Sequence, residues 1–180
     1  METMYKADRL YNEMMEVDRK IKALEVKDEQ SITEYFRLYE KLIYNHKWIG
    51  SVYDIYADDA KLYRENGDLY DGAHAIMQEA LKFTAAFPDL KIHMRDCFAV
   101  KKGDEYKVWQ YYTMEGSNHN QSIYGPATMR ELNPNECITM SMATVRNING
   151  KWRIVREFTM YSMECIKAAF YQKTDLRKAG

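Results

Sequence analysis

Two periods divide the chain. Near the N-terminus apolar side chains recur every three or four residues. From about residue 60 they alternate with polar ones, interrupted by one more helical stretch. The first 30 residues read as one charged helical segment, with Leu10, Met14, Val17, Ile21 and Leu24 at spacings of 4, 3, 4 and 3. That stripe is only about two heptads long, below what a coiled coil requires, so it is expected to pack on the body of the protein or on a second subunit. Ser31-Ile32-Thr33-Glu34 reads as a capping box that opens a second helix. The stripe of that helix is Ile32, Tyr35, Phe36, Tyr39, Leu42 and Ile43, and Asn45-His46-Lys47 interrupts it. A short third helix is expected from Trp48 to Tyr56.

The period then changes. Ala60 to Arg64 and Asp68 to Tyr70 flank Asn66-Gly67, a hairpin signal. Ala73, Ile76, Met77, Ala80, Leu81, Thr84 and Phe87 predict an amphipathic helix that Pro88 ends. Four long strands are expected at Leu90 to Val100, Tyr106 to Gly116, Glu136 to Val145 and Trp152 to Tyr161. Lys102-Gly103-Asp104 and Asn149-Gly150 supply turns. Ser117 to Asn135 reads as a long connection, and Met163 to Gln172 as a closing helix. Helices first, then long strands, is an α+β order: N-terminal helices on one face of a mostly antiparallel sheet. The division expected is a helical extension over 1–30 and one α+β domain over 31–180.

Composition narrows the functions. The 180 residues are 46% apolar and 29% charged, enough for one buried core. Lys and Arg number 26 against 27 Asp and Glu, a net charge of −1, which excludes a general electrostatic affinity for nucleic acid or an anionic membrane. No apolar run approaches the ~20 residues of a membrane span, and the first residues lack the apolar centre of a signal peptide. Cys97, Cys137 and Cys165 form no CxxC pair, so a reducing, cytoplasmic setting is expected. The 15 Tyr and 12 Met stand against only 8 Gly and 3 Pro. Such a surplus on long elements points to an adaptable, apolar cavity wall with polar tips.

Candidate chemistry is sparse. No HxH, HExxH, GxGxxG, GxxxxGK or Gly-x-Ser-x-Gly motif occurs, so no metal and no nucleotide cofactor is expected. Glu157 lies in a strand otherwise made of Val155, Phe158, Met160 and Tyr161. A carboxylate buried there would have a raised pKa and act as a base near neutrality. Trp109, Tyr111 and Thr113 share one strand face, while Gln110, Tyr112 and Met114 share the other, and one of these faces must look inward. Ile138, Met140 and Met142 add a soft face. His119 follows a strand end and could shuttle protons, whereas His93, alternating with Lys91 and Arg95, is expected at the surface.

Four patches resemble a known superfamily, the one named for nuclear transport factor two, and within it the SnoaL-like polyketide cyclases. They are Tyr56-Ala57-Asp58-Asp59-Ala60; Tyr70-Asp71-Gly72 with Phe87-Pro88-Asp89-Leu90; Gly116-Ser117-Asn118; and Asn149-Gly150-Lys151 with Arg156-Glu157-Phe158. The last run is similar to the Arg-Asp-Tyr stretch of limonene-epoxide hydrolases, and Tyr44-Asn45 resembles the Tyr-Asp pair of scytalone dehydratase. Two places depart from the family pattern. Ala127-Thr128-Met129-Arg130 replaces Pro-Thr-Gly-Arg, and the Tyr161-Ser162-Met163 region lacks an acid that many members use.

The resemblance implies a cone-shaped curved antiparallel sheet covered by N-terminal helices, the nuclear-transport-factor-two-like or cystatin-like roll, around an apolar pocket. It implies cofactor-independent acid/base chemistry, of cyclase, isomerase or hydratase/dehydratase type, on a small hydrophobic ring-containing or polyketide-like substrate. A homodimer is expected. Glu157, His119 and Tyr44 are the expected catalytic residues. Asn45, Trp48, Trp109, Tyr111, Met140 and Tyr161 are the expected substrate contacts. The alternative is a non-catalytic small-molecule-binding protein on the same fold. Glu157 meeting a His in one closed pocket would favour the enzyme.

Overall fold

The structure, a computed structural model, describes residues 6–171 except 123. The first helix, α1, runs Lys6–Ala23 and buries Val17 and Ile21 in the same core as the second helix. It therefore packs on the body of its own chain, and it stops short of the 30 residues expected. The second helix, α2, runs Glu29–Glu40. Its N-cap is Asp28 instead of Ser31: the Asp28 carboxylate accepts from the Ser31 amide at 2.8 Å, and the Ser31 hydroxyl accepts from the Asp28 amide at 3.0 Å. A carboxylate at this end also meets the positive pole of the helix, which a serine cannot match.

Helix α2 passes into a π-helical turn, Lys41–Asn45. The expected third helix is broken into a 3-10 turn, Ile49–Ser51, and the short α3, Val52–Ile55. Next come β1, Tyr56–Arg64, β2, Leu69–Asp71, and α4, Ala73–Ala86. Gly72 precedes α4 at φ 90°, and a Cβ there would lie 3.1 Å from the Asp58 carbonyl, so both backbone and space select glycine. The long strands are β3, Lys91–Lys102, β4, Glu105–Ser117, β6, Ile138–Ile148, and β7, Lys151–Met160. The expected connection between them holds a two-residue strand, β5, Glu131–Leu132, paired with β4. The closing helix, α5, runs Met163–Tyr171, and Gln172 lies outside the described residues.

The strand order is β2-β1-β7-β6-β4-β3. Neighbours are antiparallel except β1 and β7, which run parallel and join the helical half of the chain to its last strand. The result is an open curved sheet with helices on one face, as the sequence predicts. Alternation assigns Tyr106, Val108, Gln110, Tyr112 and Met114 of β4 to the buried face, with Thr139, Ser141, Ala143 and Val145 of β6 and Ile154, Glu157 and Thr159 of β7.

The opposite face corrects the expectation for much of the Tyr and Met surplus. Phe98, Trp109, Met142, Phe158 and Tyr63 stand opposite one another across five strands. Phe98 stacks on Trp109 with ring centres 5.4 Å apart, and Tyr63 on Phe158 at 4.9 Å. Tyr111, Met140 and Met160 are exposed beside that row. These side chains line the outside of the sheet, not a cavity wall.

Strand β3 forms an edge of the sheet, and Asn45 closes part of it. The Asn45 amide donates to the Ile92 carbonyl at 3.0 Å and accepts from the Ile92 N–H at 2.7 Å. Asn45→Ala is expected to destabilise the fold by about 1–3 kcal/mol, because the half-buried backbone pair loses both partners. A denaturant melt measures this, and an unchanged midpoint would contradict it.

Candidate active site

The buried sheet face carries a polar band where a core would be apolar. Gln110, Ser141, Thr159 and Arg64 are opposite one another on β4, β6, β7 and β1. Glu157 stands in the adjacent row, paired with Ala143 and Leu62, and Thr139 sits opposite Tyr112. From the helical layer, Glu40 closes α2, Tyr44 comes from the π-helical turn and Tyr56 opens β1. Tyr161 enters just beyond β7.

Glu157 is only 5% exposed. Its carboxylate accepts a hydrogen bond from the Tyr56 hydroxyl. Burial pushes the Glu157 carboxyl above its ordinary range, opposed by the Tyr56 hydroxyl, the positive charge of Arg64 and the nearby Ser141 and Thr159. Those last two hydroxyls close no hydrogen bond of normal geometry. Glu40 is pushed up to about 8 by burial and then by the negative charge of Glu157. Its Oε2 is shut off from solvent and without a partner. The hydroxyls of Tyr44, Tyr56 and Tyr112 are held protonated, well above the ordinary tyrosine range, chiefly by burial. Tyr161 is raised for the same first reason, with Arg64 pulling the other way.

Six orphaned atoms belong to the band and the residues around it. Gln110 Oε1, Ser141 Oγ, Thr159 Oγ1, Thr139 Oγ1, Arg64 Nη1 and Glu40 Oε2 are all buried with no hydrogen-bond partner. Native interiors leave few such groups, and those that occur are commonly met by internal water or serve a function. Beside this band lies a cavity of about 310 Å³, the low end of the range for small-molecule sites. Arg64 and Tyr161 belong to both. Asn66, Asp68, Tyr70, Glu79, Phe83, Tyr124 and Ile166 complete its wall.

Three of the expected site residues converge on the polar band, Glu157, Tyr44 and Tyr161, and of these Tyr161 lines the cavity. The others lie elsewhere. His119 is exposed, and its positive form would act on Asp89 at the surface. Trp109, Tyr111 and Met140 are on the outer sheet face, and Trp48 is 36% exposed. Asn45 holds the edge of β3 through both ends of its amide. Glu157 therefore meets a second carboxyl and several tyrosines in place of a histidine. Among the described residues no group of three or more His, Cys, Asp or Glu could hold a metal ion.

Glu40 and Arg64 are the residues that sequence reasoning missed, and both left a signal. Glu40 lies four residues from Phe36 and from Tyr44, so a lone acid sits on the apolar stripe of a helix. Arg64 alternates with Ala60 and Leu62, so a lone cation sits on the buried face of β1.

No protein-family model matches the chain, and no curated protein matches it in sequence. Solved structures do match in shape. A nuclear transport factor 2-like superfamily protein from Salmonella enterica superposes with a TM-score of 0.59 at 12% identity, over 72% of this chain and 87% of the other. A ketosteroid isomerase-like protein from Erwinia carotovora gives 0.54 at 18% identity, over 76% and 98%. A protein described as a SnoaL-like polyketide cyclase, from a Jannaschia species, gives 0.54 at 9% identity, over 71% and 81%. The chain therefore has the nuclear-transport-factor-two-like, cystatin-like fold that these structures share.

Proposed function

We propose that this protein is a cofactor-independent acid/base enzyme that moves a proton on a small hydrophobic, ring-containing carbonyl compound. The carrying observation is the pair of buried carboxyls, Glu157 and Glu40, set among protonated tyrosines beside a cavity whose wall is half aromatic or aliphatic and half polar. Two carboxyls with different surroundings divide into a base and an acid. Glu157 has the Tyr56 hydroxyl and Arg64 to support its charged form, so it is the base. Glu40 Oε2 has no hydrogen-bond partner, burial and the charge of Glu157 both oppose ionisation, and the group stays protonated to about 8, so it is the acid.

Glu157 removes a proton from the carbon next to the carbonyl, and the electron pair moves onto the oxygen. A tyrosine hydroxyl, from Tyr44 or Tyr161, donates to that oxygen. Glu40 then returns a proton at carbon. The enolate so formed could isomerise, eliminate or close a ring, and the residues do not choose among these. The names of a polyketide cyclase and an isomerase-like protein among structures of this fold agree with such chemistry. A purely ligand-binding protein would have no need of two carboxyls in its interior, since burying them costs stability even where one is paired and the other protonated.

The cytoplasmic reading rests on three free thiols, Cys97, Cys137 and Cys165. No helix among the described residues is long and apolar enough to cross a membrane. For the homodimer we assign the outer sheet face, whose apolar row is the kind of exposed patch that marks an interface. Phe158→Lys is expected to turn a dimer into a monomer by light scattering. A wild-type monomer, or a variant that stays dimeric, would remove that assignment.

The chemistry can be tested without the natural substrate. With 2-tetralone in D2O, the protein is expected to speed deuterium uptake next to the carbonyl, followed by proton NMR. Glu157→Gln is expected to lose about a hundredfold or more of that rate. No acceleration by the wild type would leave the binding-protein alternative standing.

The pH dependence has a definite sign. Glu157 must be ionised, so the rate falls as pH drops through its raised pKa. Glu40 must be protonated, so the rate falls again as pH rises past about 8. Glu40→Gln is expected to lower the rate and abolish the alkaline limb near pH 8. An alkaline limb that persists in the variant would assign it to another group.

A further inference from the structure

Resting on the acid/base reading of this site, we propose that its substrate carries a carboxylate, and that Arg64 is the residue that binds it. Arg64 stands at the junction of the cavity and the polar band, with its side chain only 10% exposed. A buried guanidinium has five N–H donors and normally closes most of them on carboxylates or carbonyls. Here Nη1 is buried with no partner, and Nη2 reaches one oxygen of Glu79 at a loose 3.9 Å.

The surroundings hold this cation in place without satisfying it. The guanidinium carbon lies 3.9 Å from the centre of the Tyr161 ring and 5.6 Å from that of Tyr70. Stacking of this kind orients the fork while leaving its in-plane donors open, and those donors match a carboxylate. The two acids of the cavity are partly engaged elsewhere. Asp68 Oδ2 accepts from the Asn66 amide at 2.9 Å, and Glu79 Oε1 from the Tyr124 hydroxyl at 3.4 Å. Phe83, Tyr124 and Tyr161 offer ring faces around the same space, so the anion belongs on a flat, apolar frame. A carboxylate on Arg64 would sit next to Thr159, the neighbour of Arg64 in the polar row, one row from Glu157.

The probes are 2-naphthoate and its methyl ester, which share the ring frame and replace the charged carboxylate by a neutral ester. Calorimetry on the wild type is expected to show the carboxylate binding about tenfold or more tighter than the ester. Arg64→Met is expected to erase that preference, read as the ratio of the two affinities, and Arg64→Lys to keep part of it. Circular dichroism checks that the variants fold, and should Arg64→Met not fold, the wild-type comparison and Arg64→Lys decide. Equal binding, tighter binding of the ester, binding of neither, or a preference that survives Arg64→Met would each overturn the proposal. Deuterium exchange into the neutral 2-tetralone separates the two readings. Exchange without a carboxylate preference removes the anion seat and keeps the acid/base site. A preference without exchange keeps the seat on a binding protein.

Discussion

Keeping the Glu157 carboxylate out of water is the constraint around which the interior is arranged. A buried charge is costly unless donors and counter-charges meet it. The parallel pairing of β1 with β7 brings those groups: Leu62 stands opposite Glu157 and Arg64 opposite Thr159 two residues on. The same strand begins with Tyr56, whose hydroxyl donates to the carboxylate. One strand pairing thus delivers a donor and a cation to one acid. Because β1 leads directly from the helical layer, it also fixes α2 and the π-helical turn above the sheet, which is where Glu40 and Tyr44 arise.

The polar band differs from an ordinary core in what it leaves undone. Leu62, Ala143 and Val108 fill the row of Glu157 with apolar side chains. The neighbouring row is entirely polar, and each of its four residues has an atom without a partner. Stability alone would have placed valines and leucines there, since removing such unsatisfied groups is neutral or favourable. That the band keeps them is the feature on which the proposed acid/base site rests.

Much of the architecture was legible in the residues. The stripe of α2, the Asn149-Gly150 turn and the long strands appear close to where periodicity puts them, and Glu157 is buried, as its apolar strand neighbours suggest. What remained hidden follows from two physical ambiguities. Alternation separates the two faces of a strand but does not say which one the helices cover. Trp109 and Tyr111 look more like core than Gln110 and Tyr112 do, yet the helices lie on the side of the glutamine. The outer row of stacked rings is apolar for its own reasons, so hydrophobicity pointed the wrong way. The second ambiguity is local. Ser31 and Asp28 are both good caps three residues apart, and the charge decides in favour of Asp28. Glu40 and Arg64 each contradict the pattern of their own element, and a single polar residue on an apolar stripe is most simply read as a lapse in the pattern.

The side-chain bonds along β3 reach further than the stability of one strand. At an open sheet edge, free amides invite a strand from another molecule. Here the Ile92 N–H is taken by Asn45, the Cys97 N–H by Asp96 and the Lys101 N–H by Glu29. Three contacts spaced along the edge occupy donors that an incoming strand would need, and two of them come from the helical layer. Helix and turn thus act as a selvedge, finishing the border of the sheet so that it does not extend from chain to chain. The broad outer face, by contrast, presents side chains rather than free backbone.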